Sequence, residues 1–148
     1  MNKQIISILT ALSFAAVCVT PALGEDLDLL AGKWSVQKTN EDGQRYTQNI
    51  EIKKSKFTFT IADREGETRL YAEGDVKLEK AGPLKVIVFS NIKAGQSSSD
   101  TEAVDDTYTS IYKLQGDGTW VVAANFDKDR ERQKPSLDVY RKAASAQK

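Results

Sequence analysis

From Gly32 onward, apolar residues alternate with polar ones over short runs separated by clusters of glycine, asparagine and aspartate. A period of two is the mark of half-buried β-strands. Residues 33–39 place Trp34 and Val36 on one face and end at Asn40-Glu41-Asp42-Gly43, where Asp-Gly signals a hairpin. Residues 46–53 put Ile50 and Ile52 on one face, and residues 56–62 alternate Phe57, Phe59 and Ile61 against Thr58 and Thr60. After the turn Asp63-Arg64-Glu65-Gly66, residues 68–79 carry Leu70, Ala72, Val76 and Leu78 in phase, with Gly74 between them as a candidate bulge.

Ala81-Gly82-Pro83 then precedes residues 84–90, where Val86, Ile87, Val88 and Phe89 are consecutive, a pattern that predicts a strand buried on both faces. Were Ile87 and Phe89 to face outward together, they would form an apolar association surface. Residues 94–106 hold Ser97 to Ser99 and the acids Asp100, Glu102, Asp105 and Asp106, and read as a long loop at a barrel end. Strands follow at 107–114 and 119–126, joined by Gln115-Gly116-Asp117-Gly118. Residues 127–134 are almost wholly charged, and Pro135 precedes a last strand, 136–142, with Leu137 and Val139 set against Asp138 and Tyr140. About eight strands in order, mostly linked by hairpin turns, predict an all-β fold, a small up-and-down antiparallel β-barrel whose closure removes exposed sheet edges.

The first residues depart from this pattern. Lys3, the apolar stretch from Ile5 to Val19, and Ala22-Leu23-Gly24 read as a secretory signal with cleavage after Gly24. The apolar stretch is shorter than the ~20 residues a membrane span needs and is followed by Thr20-Pro21. The expected organisation is therefore a signal peptide over 1–24, a barrel domain over 25–142 and a frayed tail over 143–148, with the mature protein periplasmic or secreted and not stably inserted in a membrane. Lipid attachment at Cys18 is the rival processing route, though Val17 stands where a small residue is expected.

Composition narrows the chemistry. The 148-residue chain has 21 basic and 21 acidic residues, so no net field draws it to nucleic acid or to a membrane surface. Histidine is absent, which excludes Ser-His and Cys-His catalysis and the usual zinc sites. Cys18 is the one cysteine and lies in the signal segment, so the mature chain has neither thiol chemistry nor disulfides. The acids at 100–106, with Asp127 and Asp129, lack the spacing of a calcium loop, and no carboxylate pair suggests a glycosidase. No enzymatic activity, metal or cofactor is expected.

The segment Leu30-Ala31-Gly32-Lys33-Trp34, with Asp26 to Leu30 as a short preceding helical turn, resembles the opening of the lipocalin (calycin) superfamily. Gly43, Phe57-Thr58-Phe59, Ile111-Tyr112-x-Leu114 and Tyr140-Arg141-Lys142 extend the likeness, in particular to short secreted bacterial members of unknown activity. The resemblance implies that Gly32 and Trp34 close one end of the barrel and that Arg141, near the end of the last strand, packs over the Trp34 ring. Ordinary lipocalins add a helix after the last strand and a disulfide, and neither is visible here. The opening also resembles avidin-type barrels, but beyond Trp120 their further tryptophans have no counterpart.

A barrel of this size is either filled by side chains or holds one small ligand, and the sequence leaves both open. The aromatics whose phase can turn them inward, Phe57, Phe59, Phe89, Tyr108, Tyr112 and Trp120, are the candidate ligand contacts. The leading expectation is an exported barrel that binds a small apolar or amphipathic molecule. The alternative is a barrel that binds a protein, such as a periplasmic protease inhibitor whose segment Glu25 to Leu30 enters the partner's cleft, or one that forms a homodimer.

Overall fold

The computed structural model describes residues 23–126 and 134–143. A short helix, α1 (Leu23–Leu30), leads into nine strands: β1 (Gly32–Thr39), β2 (Arg45–Lys53), β3 (Lys56–Ala62), β4 (Thr68–Ala81), β5 (Leu84–Ser97), β6 (Asp100–Val104), β7 (Tyr108–Leu114), β8 (Thr119–Ala124) and β9 (Ser136–Lys142). Each strand pairs antiparallel with its neighbours, and the β4–β5 and β1–β9 pairings close a ring of eight strands with β6 as an extra strand. The expected up-and-down barrel is the observed one. Of the expected signal segment only Leu23 and Gly24 are described, as the start of α1; residues 1–22, 127–133 and 144–148 lie outside the described residues.

The hairpin tips form where the turn residues predict. Gly43 and Gly66 take positive φ of 78° and 85°. At each tip one side-chain oxygen, from Asn40 or Asp63, accepts two backbone N–H bonds, the local satisfaction that makes these residues turn formers.

The polar stretch 94–106 departs from the sequence expectation of a long loop. β5 runs on to Ser97, the chain reverses at residues 98–99, and β6 pairs back along the upper half of β5, with Ile92 opposite Val104 and Gly95 opposite Thr101. β7 then continues on the same flank, with Phe89 opposite Tyr108. β6 and β7 are thus two halves of one return strand, interrupted at 105–107. The stretch is polar because it forms the barrel rim, where much of its surface meets water, and not because it lacks a partner. Gly95 makes the close approach feasible, since a Cβ there would lie 1.7 Å from the Asp100 carbonyl oxygen.

A bulge at mid-height sets which residues point inward. Between Glu73 and Asp75 on β4, β5 carries one extra residue, and Asn91 takes φ 50° to accommodate it. The inward phase of β5 therefore passes from Ile87 and Phe89 below the bulge to Ile92 and Ala94 above it. Gly74 faces this point, with a hypothetical Cβ 2.6 Å from the Ser90 carbonyl oxygen. Ile87 and Phe89 do not form an outer patch; Val86 and Val88 occupy the outer face and are themselves buried, so the run is covered on both sides as its composition predicts.

The lower half of the barrel is packed solid. Leu30, Trp34, Ile52, Ile87 and Trp120 are the largest fully buried side chains. Trp34 and Trp120 meet edge to face with centroids 5.6 Å apart, and Trp120 lies 5.3 Å from Tyr140. α1 closes this end: the Trp34 Nε1 donates to the Leu30 carbonyl at 2.8 Å, and the buried Asp26 carboxylate accepts from Lys85 Nζ at 2.5 Å and from the Tyr112 hydroxyl at 2.9 Å. Burial raises the Asp26 pKa, but the Lys85 and Tyr112 hydrogen bonds and the lysine charges outweigh it and hold the carboxyl below its ordinary value.

Candidate functional site

Above this floor the interior is hollow. A cavity of about 400 Å³ opens to the rim, within the ~300–1,000 Å³ range of small-molecule sites. Phe57 and Phe59 come from β3, Leu70 and Ala72 from β4, Phe89, Ile92 and Ala94 from β5, and Val104 from β6. Phe57 and Phe89 pack edge to face at 4.8 Å and form the deep corner of this wall.

The opposite wall, from β9, β1 and β2, has a different chemistry. Ser136, Asp138 and Tyr140 line it from β9, Lys38 from β1, and Gln48 beside the apolar Ile50 from β2. Lys38 Nζ and Asp138 Oδ1 pair at 2.7 Å, with only 24% and 12% of their side chains exposed. The Tyr140 hydroxyl donates to Gln48 Oε1 at 3.1 Å. Burial first, then the adjacent Asp138 charge, raises the pKa of Tyr140, so it remains a neutral donor at physiological pH. Tyr108, Ser110, Val122, Ala124 and Asn125 join the two walls.

The polar wall coincides with the weakest seam of the barrel. β1 and β9 are in register at Trp34–Lys142 and Ser35–Arg141, with one further bond from Ala143 N to the Lys33 carbonyl, whereas the other ring seams each hold at least four registered pairs. Extending that register upward brings Lys38 opposite Asp138, so above Ser35 it is side chains that span the seam.

Of the six aromatics expected to contact ligand, Phe57, Phe59, Phe89 and Tyr108 line the cavity. Tyr112 and Trp120 point inward but lie below it: Tyr112 is tied to Asp26, and Trp120 is sealed between Trp34 and Tyr140, its Nε1 finding no acceptor among the described residues. Strand phase fixes the face a residue points to, and says nothing of its depth.

Gly32 and Trp34 sit at the closed end, with Gly32 at φ 116°. Arg141 does not cover Trp34. It is exposed, and its place over the indole is taken by Lys142, whose Nζ lies 5.4 Å from the ring centroid. The pleat explains the one-residue difference, because Ser136, Asp138, Tyr140 and Lys142 share the inner face while Leu137, Val139 and Arg141 share the outer. The apolar residues of β9 thus face out, Leu137 being 69% exposed, and its polar ones face in.

Lys38, Gln48, Ser136 and Asp138 line the cavity without being among the aromatics that the sequence singles out. A signal was present: Lys38 is in phase with Trp34 and Val36, and Asp138 is in phase with Tyr140. Asp100 and Glu102 lie on β6 and Asp105 and Asp106 in the 105–107 interruption, and no three acidic side chains among the described residues gather to hold an ion. A second depression, about 790 Å³, lies at the rim between the β1–β2 and β3–β4 tips, lined by charged and polar residues including Arg45, Arg64 and Arg69. Arg69 there is already paired with Asp63 and Glu67, and no apolar wall encloses a ligand. No protein-family model, curated protein or solved structure matches the chain.

Proposed function

We propose that this protein is an exported, non-catalytic, lipocalin-like barrel that carries or sequesters a small amphipathic molecule in its upper half. The observation that supports this reading is the division of the interior: a floor packed solid by Trp34, Trp120 and α1, and above it a cavity of about 400 Å³ open at the rim. A barrel that needed only a core would fill that volume, because a void forfeits packing energy at every lining atom. Phe59, Leu70, Ala94 and Val104 supply the non-directional part of the binding energy, and the Lys38–Asp138 and Tyr140–Gln48 wall fixes orientation.

The signal-like N-terminus supports export, and the absence of histidine supports a non-catalytic role. The inhibitor reading requires a free segment at Glu25 to Leu30. That segment is instead part of the floor, with Asp26 and Leu30 buried. Native mass spectrometry of the mature protein, after incubation with a cell extract of small molecules, is expected to show one retained adduct per chain. A chain that keeps nothing from extracts of varied polarity would refute the proposal.

A further inference from the structure

The two walls differ across the barrel and not along it. Every lining residue from β3, β4, β5 and β6 is apolar, whereas β9, β1 and β2 contribute Ser136, Asp138, Tyr140, Lys38 and Gln48, with Ile50 the one apolar member; the β7–β8 side between them is mixed, with Tyr108, Ser110 and Asn125 beside Val122 and Ala124. Polar groups run the height of that wall, from Ser136 near the rim to Tyr140 in contact with the floor tryptophan. A head-and-tail amphiphile would call for the opposite layout, an apolar shaft all round with polar groups gathered at the mouth.

Charge narrows the ligand further. Among the described residues, the one cation and the one carboxylate in the lining neutralise each other at 2.7 Å and are mostly screened from water. A carboxylate or an amine entering the cavity would have to break this pair and leave one of its members buried without a partner, which is the costly outcome for a desolvated ion pair. A neutral ligand can leave the pair intact and exchange hydrogen bonds with its free lone pairs, with Tyr140 and with Gln48.

Resting on the reading of this cavity as a ligand site, we propose that its ligand is an uncharged, ring-built molecule whose hydrogen-bonding groups lie along one edge, with that edge on the β9–β1–β2 wall and the apolar edge on β3–β6. At interior packing density the cavity takes on the order of 15–20 non-hydrogen atoms, the size of a two- or three-ring compound.

Two isomers test this without a change of size or hydrophobicity. 2,7-Dihydroxynaphthalene carries both hydroxyls on one long edge, and 2,6-dihydroxynaphthalene carries them on opposite edges. In calorimetric or fluorescence titration the 2,7 isomer is expected to bind the protein about tenfold or more tightly, because the 2,6 isomer must bury a hydroxyl against the apolar wall. Dodecanoate and dodecylamine are expected to bind more weakly than the 2,7 isomer.

The double variant Lys38→Met/Asp138→Leu, checked for a native circular-dichroism spectrum, is expected to bring the isomer ratio close to one. Isomer affinities within about twofold of each other in the unmodified protein, or dodecanoate as the tightest ligand, would overturn the edge-polar proposal while leaving the binding function standing. Absence of binding by all four compounds would overturn both.

Discussion

Replacing Asp26 by alanine removes the acceptor that joins α1 to the barrel floor. The Tyr112 hydroxyl, in a residue only 3% exposed, then has no acceptor, while the more exposed Lys85 can turn toward water. An orphaned buried hydroxyl costs about 1–3 kcal/mol, and the lost charged bond adds a part of that again, so about 2–4 kcal/mol is expected. For a domain of this size that lowers the melting temperature by roughly 6–15 °C.

The assay is denaturant unfolding of four proteins: unmodified, Asp26→Ala, Tyr112→Phe and the double variant. Since Tyr112→Phe removes the group that would be orphaned, Asp26→Ala should cost about 1–2 kcal/mol less in that background. Because the folded Asp26 pKa lies below its unfolded value near 3.9, its contribution is complete above that pH and is lost as pH falls through the folded value. Asp26→Asn should therefore flatten the acid limb of stability against pH. A loss under about 0.5 kcal/mol, or an equal loss in both backgrounds, would refute the view that α1 is a built-in plug and return it to the role of a free segment.

Three further outcomes are expected. Gly95→Ala should destabilise the protein by more than about 2 kcal/mol and speed hydrogen exchange of the β5–β6 amides, since the new methyl would collide with the Asp100 backbone. Lys142→Ala should cost about 0.5–1 kcal/mol in thermal unfolding through loss of its place over Trp34, and Arg141→Ala should stay within about 0.5 kcal/mol. Ala72→Trp should fill the cavity from the β4 wall and weaken 2,7-dihydroxynaphthalene binding more than about tenfold in titration, with the fold retained.

The strand order and the hairpins at Asp42-Gly43 and Gly66 were legible because each depends on local chemistry, alternation and a left-handed turn position, whereas the closed end at Gly32-Lys33-Trp34 was implied only by the resemblance to lipocalins. Three features depend on pairing between distant residues, and the sequence hid them. β6 reads as a loop because its sequence is polar, and only its register on β5 shows it to be a strand. The depth of Tyr112 and Trp120 follows from how far up each strand the floor reaches. The β9 face is inverted relative to its hydrophobicity because Leu137 and Val139 lie outside while Asp138 finds Lys38 within. That inversion is a local conflict between sequence and position, and it falls at the proposed binding wall, where a sequence is expected to trade stability for function.

Methyl-resolved NMR of Ile, Leu and Val residues, titrated with 2,7-dihydroxynaphthalene, addresses the hollow upper half directly. Saturable shifts are expected at Ile50, Leu70, Ile92, Val104 and Val122, with the floor methyls of Ile52 and Ile87 and the outer methyls of Leu84, Leu137 and Val139 unchanged. Shifts confined to Leu137, Val139 and Val121, with the cavity methyls silent, would contradict the account and place binding on the outer face of the barrel.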